Sequence, residues 1–286
     1  MNPRFFSAEE IHGLVETREL IAVLKQEFAS LAAGKARNSP RMVLPLENGR
    51  ALGAMLASGD GGRLLGAKLV CVFPANRKLE LNPHQGVVAL FHPETGQPLA
   101  LFGSGLQAYS HALAIAQVRT LEKITIWGRT LAGARQLAER LERELKIPVI
   151  PTKDVLKAGR DAQILALCTP ATEIYLRAQD LPSGAHVNAI GACRPGMREL
   201  EIPLKTSAKL FIDDLERIKE EAEEMQDFFA KQQTERLTEI GNVFSGAEAG
   251  RSSEAEVTIF KSVGLGIQDA ATAALAYRKS WQGADL

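Results

Sequence analysis

Cysteine is scarce: Cys71, Cys168 and Cys193 stand far apart and form no CxxC pair. That argues against a disulfide framework and a zinc site, and for reduced thiols in a reducing compartment. No apolar run reaches the length of a membrane span. Neither sign of charge is in excess, with 34 Lys plus Arg against 34 Asp plus Glu. A nucleic-acid partner is therefore not expected, because neutralising phosphates takes a basic surplus or stripe. The opening MNPRFFSAEEIHGLVE has acidic residues where an export signal needs an apolar core, so a cytoplasmic chain is expected. His84, His111 and His186 lack metal-ligand spacing, and no metal is expected. What is present is ordinary globular composition, 45% hydrophobic and 24% charged, in 286 residues, enough for two domains.

Ser7-Ala8-Glu9-Glu10 has the form of a capping box opening a short helix. Thr17 is expected to cap a second helix, with Leu20, Ile21, Leu24, Phe28 and Leu31 on its apolar face and Gly34 as its stop. β-type runs follow at 41–46, 50–56, 65–73 and 86–91, separated by turn formers, which implies an α+β unit on a mostly antiparallel sheet. After Pro98 the rhythm changes. Strand 99–102, a glycine turn, helix 106–119, strand 123–127 and helix 131–145 alternate, and strands at 149–151, 162–168 and 186–190 continue the pattern. This is the signature of an α/β, Rossmann-type doubly wound parallel sheet. The expected division is an α+β substrate and dimerisation domain over 1–98, a dinucleotide-binding domain over 99–264, and a C-terminal helix within 265–286 returning to the first domain. Residues 213–227, DDLERIKEEAEEMQD, read as a helix start with a solvated acidic face.

Gly103-Ser104-Gly105-Leu106-Gln107-Ala108 fits G-x-G-x-x-A between a strand and a helix. The first glycine permits the tight turn, the second lets backbone approach a pyrophosphate, and the small residue at 108 lets helix and strand pack closely. The second strand ends in Trp127-Gly128-Arg129-Thr130, with no carboxylate for a ribose 2′-hydroxyl. Arg129 offers a guanidinium and Thr130 a hydroxyl, a pairing suited to a 2′-phosphate, so NADP(H) is favoured over NAD(H).

Several further stretches, in order, resemble the ornithine cyclodeaminase/mu-crystallin family: PRMVLP at 40–45, GAKLV at 66–70, HQGVV at 84–88, PETG at 93–96, CTPATE at 168–173, HVNAIG at 186–191, RPGMREL at 194–200 and FKSVG at 260–264. The resemblance implies a homodimer of two-domain subunits and a small imino or amino acid substrate. It implies that Arg41 and Lys68 hold the substrate carboxylate, with Gln85 beside them. Thr169, Pro170, Ile190 and Cys193 would lie along the cofactor, and Ser262, Val263 and Gly264 near its nicotinamide.

Two departures shape the functional reading. Cyclodeaminases of this family place an aspartate base where this chain has Cys193, and a thiol is a poor substitute for a carboxylate base. Family members also carry a linking segment and helix, with another carboxylate-binding arginine, before the glycine turn. Here Pro98–Phe102 runs straight into Gly103, as an internal deletion would leave it. One strand must then serve as hairpin partner or as Rossmann strand. The first expectation is an NAD(P)H-dependent reductase of small cyclic imino acids, or the related amino-acid dehydrogenase. The alternative is a crystallin-like protein that binds NADPH and a small carboxylate without turnover, and a weaker one is an ornithine cyclodeaminase.

Overall fold

The computed structural model describes residues 4–59, 64–79, 81–91, 98–103, 107–160, 162–202 and 207–280. The chain divides into two units, one of Met1–Leu106, Gly241–Ala247 and Leu265–Leu286, the other of Gln107–Ile240 and Glu248–Gly264.

In the first unit β1 (Arg4–Phe6) leads to α1 (Ala8–Leu14), whose capping box forms: Ser7 Oγ accepts from the Glu10 N–H at 3.2 Å, and the Ser7 N–H donates to the Glu10 carboxylate at 2.7 Å. α2 (Thr17–Ala32) takes Glu16 rather than Thr17 as its cap, and the backbone closes the turn, Leu20 N–H donating to Glu16 O at 3.0 Å. Gly34, at φ +70°, follows its end. Then come β2 (Arg37–Asn38), β3 (Met42–Pro45), β4 (Ala51–Gly59), β5 (Leu64–Val72), β6 (His84–Phe91) and β7 (Pro98–Gly103). The sheet order is β1-β7-β6-β5-β4-β2, with β3 also on β4. All pairs are antiparallel except β1–β7. The strand that runs into the glycine turn therefore lies in this antiparallel sheet.

The second unit comprises α3 (Gln107–Val118), β8 (Ile124–Trp127), α4 (Leu131–Leu145), β9 (Val149–Thr152), α5 (Val155–Gly159), β10 (Ile164–Leu167), β11 (Leu176–Arg177), β12 (His186–Ala189), β13 (Leu200–Glu201), β14 (Lys209–Ile212), α6 (Leu215–Glu221), α7 (Gln226–Ala230) and β15 (Leu237–Glu239). After α8 (Ile240–Ser245) the chain adds β16 (Thr258–Lys261) to this unit, and α9 (Gly266–Ser280) returns to the first. Strands β10-β12-β16-β14-β15 form one parallel sheet, and β8-β9 a separate parallel pair. Val187, Leu210, Ile212 and Ile259 are buried along near-continuous apolar strands, as parallel strands covered on both faces require. α4 buries Ala134, Ala138 and Leu141, and Ala138 and Leu141 meet Val149, Tyr109, Ala112 and Leu113.

The reading of 213–227 as a helix start with a solvated acidic face is corrected in part: Glu216, Glu220 and Asp227 are exposed, but Asp213, Glu221, Met225 and the adjoining Phe228 are buried. Asp213 and the neighbouring Glu224 have buried partners, described below, that supply what water otherwise would. Among the described residues no helix is long and apolar enough to cross a membrane.

Candidate active site

The carboxyl edge of a parallel sheet gathers the loops that follow its strands, and ligands of doubly wound folds bind there. In the second unit this edge carries Thr169 and Pro170 after β10, Ile190 to Cys193 after β12, Asp213 after β14, and Ser262 to Gly264 after β16. The structure thus places seven of the residues expected along the cofactor, Thr169, Pro170, Ile190, Cys193 and Ser262 to Gly264, on one edge.

Buried charge holds these loops. The Glu199 carboxylate is fully buried and accepts from Thr169 N–H at 2.7 Å, Thr169 Oγ1 at 2.7 Å, Tyr175 Oη at 2.8 Å and Ala192 N–H at 2.8 Å. It ties the loop after β10 to the loop after β12. Gly191 makes that approach possible, since a Cβ there would stand 2.2 Å from the Thr169 nitrogen. Asp213 Oδ2 accepts from Ser262 Oγ at 2.7 Å, Val263 N–H at 2.9 Å and Gly264 N–H at 3.0 Å, which shapes the loop after β16. Burial pushes the Asp213 carboxyl above the usual aspartate range, against these bonds, which pull it down. Lys261 Nζ pairs with Glu224 at 2.7 Å, both 1% exposed, and donates to the Ala192 carbonyl at 2.5 Å. Glu224 in turn accepts from the N–H groups of Glu199 and Leu200 at 2.9 and 3.1 Å.

The same environment silences two reactive groups. Burial, then the Glu199 charge, pushes the Cys168 thiol up to about 12 and raises the Tyr175 phenol well above its ordinary value. Cys168 is therefore a thiol rather than a nucleophilic thiolate.

At the end of β8, Gly128, Arg129, Thr130, Gly133 and Ala134 line an open cleft of about 370 Å³. Thr130 caps α4, its Oγ1 accepting from Gly133 N–H at 3.3 Å. A Cβ on Gly128 would meet Thr130 O at 3.1 Å and Ala134 Cβ at 3.3 Å, so glycine lets the strand turn closely onto the helix. The Trp127 ring stacks on Tyr175 with centroids 4.6 Å apart, and its Nε1 donates to Lys153 O at 3.0 Å. The cleft has an exposed arginine, a helix N-terminus and no lining carboxylate, which fits an anion such as a ribose phosphate.

In the first unit Lys68 lies in β5, an interior strand, with Nζ 2.9 and 3.0 Å from the two carboxylate oxygens of Asp269 on α9. Lys68 faces Val88 across the β5–β6 ladder, whereas Gln85 faces Cys71. Side chains alternate along a strand, so Gln85 and Lys68 project from opposite faces and do not stand together. Gln85 is exposed and donates to Asn82 O at 3.2 Å. Arg41 is half-buried just ahead of β3. Gly103 closes β7 and Gln107 opens α3, while Ser104, Gly105 and Leu106 lie outside the described residues.

Sequence reasoning missed Glu199, Asp213, Glu224, Lys261 and Asp269. Glu199, Asp213 and Glu224 stand beside charged residues and read as surface, and Asp269 stands in the first turn of a helix, where an acid reads as a partner of the helix dipole. Asp214 does cap α6, accepting from Arg217 N–H at 2.8 Å, but its neighbour Asp213 points inward. A lysine inside the apolar run TIFK was the one available signal of a buried cation.

This architecture has many solved counterparts. The chain aligns with Δ1-pyrroline-2-carboxylate reductase of Thermococcus litoralis, solved with NADH and L-proline, at a TM-score of 0.89 and 25% identity, covering 96% of this chain and 97% of that one. It is 29% identical over 312 residues to Δ1-pyrroline-2-carboxylate reductase of Bacillus cereus, covering 96% of this chain and 95% of the relative. It is 28% identical over 320 residues to ketimine reductase mu-crystallin of Mus musculus, covering 98% and 97%. The model of the ornithine cyclodeaminase/mu-crystallin family matches residues 1–102 and 99–284. With the family model matched across nearly its whole length, the chain belongs to the ornithine cyclodeaminase/mu-crystallin family.

Proposed function

We propose that the protein is an NAD(P)H-dependent reductase of small cyclic imino acids, of the ketimine or Δ1-pyrroline-2-carboxylate type, or the amino-acid dehydrogenase running the reverse reaction. The observation that carries this reading is the convergence of Thr169, Ile190, Cys193 and Ser262–Gly264 on one carboxyl edge, pinned by buried carboxylates. A nicotinamide dinucleotide fits these residues: the loops would line it, and Arg129 with the first N–H groups of α4 would hold a 2′-phosphate. By sequence, Gly103 to Gln107 would take its pyrophosphate. When bound, the dihydronicotinamide supplies the hydride.

Arg41 and Lys68 take the substrate carboxylate, the guanidinium by two parallel hydrogen bonds. Lys68 Nζ also holds a proton suited to the substrate nitrogen, so that C=N gains a hydride on carbon and a proton on nitrogen. Asp269 holds that ammonium in place. Cys193 supplies no carboxylate base, which disfavours cyclodeaminase chemistry.

NADP(H) is the expected form because Arg129, rather than an acid, ends the second strand. Arg129→Ala should weaken NADPH binding roughly ten- to a hundredfold, with NADH changed little, when both are titrated by fluorescence. Equal loss for both nucleotides would remove the phosphate assignment. A homodimer is expected through the open face of the antiparallel sheet, where Leu52, Leu56, Leu65, Leu69 and Val87 are all exposed. Incubation with NADPH and Δ1-pyrroline-2-carboxylate, followed at the nicotinamide absorbance band, tests the reaction. NADPH binding without turnover of this substrate or its six-membered homologue would replace the reductase with a binding protein.

A further inference from the structure

The two stretches that match the family overlap at residues 99–102, so the same residues match the end of the first and the start of the second. The alignment to the Bacillus cereus relative, 312 residues long, exceeds this chain's 286, so that relative carries residues with no counterpart here. In a doubly wound dinucleotide fold, strand order 3-2-1-4-5-6 puts the strand that enters the glycine turn between the second and fourth strands. Here the second and third are β8 and β9, and the fourth and fifth are β10 and β12. Among the described residues β8 pairs only with β9 and β10 only with β12, leaving each with an unpaired edge.

The strand that should join them is engaged elsewhere. β7 pairs in parallel with Arg4–Phe6 along one edge and antiparallel with Val87–Phe91 along the other. A strand has two edges, so β7 cannot pair with β8 and β10 while it pairs with β1 and β6. Yet α3, which follows the glycine turn, packs in the second unit, where its Tyr109, Ala112 and Leu113 lie beside Leu141 and Val149. The helix is thus placed as in a dinucleotide-binding unit while its strand is not.

We propose that Pro98–Gly103 is one strand with two places, and that nucleotide binding draws it from between β1 and β6 to between β8 and β10. The inference rests on the dinucleotide reading above. The segment suits both sites. Its sequence PLALFG is apolar throughout, as a parallel strand covered on both faces must be, and the flanking edges ITIW and ILAL are equally apolar. Exchanging one set of ladder hydrogen bonds for another changes their total little. The balance then falls to the nucleotide, which shifts the strand by its differential affinity for the two arrangements. Nucleotide affinity is lowered by the fraction of chains in which the strand is elsewhere.

Two variants test this. Ala89 and Leu101 are register partners on β6 and β7. Ala89→Cys with Leu101→Cys, once oxidised, ties the strand to β6, with Leu101→Cys alone as the control for the native cysteines. The oxidised chain should bind NADPH at least about tenfold more weakly than the reduced chain, with recovery on adding reductant. In the second variant a copy of Pro98–Gly103 is inserted after Gly103 behind a flexible glycine–serine linker, so that both places are filled. It should bind NADPH at least about tenfold more tightly than wild type and melt at a higher temperature without ligand. Equal affinity of oxidised and reduced chains, or no gain in the duplicated chain, overturns the proposal. Strand-dependent NADPH binding without turnover of Δ1-pyrroline-2-carboxylate ends the reductase reading and leaves this one standing. Turnover undisturbed by the cross-link does the reverse, and no binding of NADPH in any form ends both.

Discussion

The two sheets of this chain solve burial differently. The antiparallel sheet covers one face with Met55, Ala57, Leu64, Val88 and Leu90 turned inward, and leaves its other face open and apolar. The parallel sheet is apolar on both faces and keeps its polar chemistry at one end, under Glu199, Asp213, Glu224 and Lys261. In the first, position along the strand decides which side a residue faces; in the second, position relative to the strand end decides whether it can do chemistry. Both sheets are held by apolar burial, but α9 meets the first through small residues such as Gly66 and Ala270, whereas the strand-end loops of the second are held by charges that are costly to bury and worse to leave unpaired.

The largest effect is expected where that buried charge is broken. Lys261→Met leaves Glu224 buried without its cation and should cost about 3–5 kcal/mol in urea unfolding. A variant as stable as wild type would show that the pair does not hold the parallel sheet's edge. Next comes Asp213, whose folded carboxyl is raised above its unfolded value by burial. The folded state holds that proton more tightly than the unfolded chain does. Its stabilising effect is full below the ordinary aspartate range, roughly 3.9, and is lost as pH rises through the raised folded value. Urea midpoints across that window should fall with rising pH. Asp213→Asn should remove this slope at a cost of about 1–3 kcal/mol, since an amide nitrogen then meets N–H donors. An unchanged slope would count against Asp213.

In the other sheet the sensitive point is contact, not charge. Gly66→Ala would put a methyl 2.8 Å from Ala270 Cβ, where α9 lies on β5. It should cost about 1–3 kcal/mol by overpacking, read from the melting temperature. The smallest effect belongs to the open face. Leu69→Lys should change monomer stability by no more than about 0.5 kcal/mol, yet shift sedimentation towards monomer if two copies meet there. A strong loss of monomer stability would mean that this face is covered within one chain.

Much of the local structure was legible because its causes are local. The Ser7 box, α4 at Leu131–Leu145 and the apolar run of β12 all follow from neighbouring residues. The expected cofactor loops fell on one edge because parallel strands put every loop of that kind on the same side. The frame beneath them was not legible. A carboxylate in an acidic run looks the same whether it meets water or a lysine far along the chain. Gln85 and Lys68 were expected together, and only the register of β5 with β6 shows them on opposite faces.

By itself the sequence determined most element types, the arginine in place of an acid after the second strand, and the family. These depend on residue chemistry at short spacing. The tertiary structure alone decided which sheet receives Pro98–Gly103, which acids are buried, and that Lys68 has Asp269 as its counterion. Those outcomes turn on competition between partners distant in sequence: a strand has two edges, a buried charge needs an opposite one, and neither partner can be read from its neighbours.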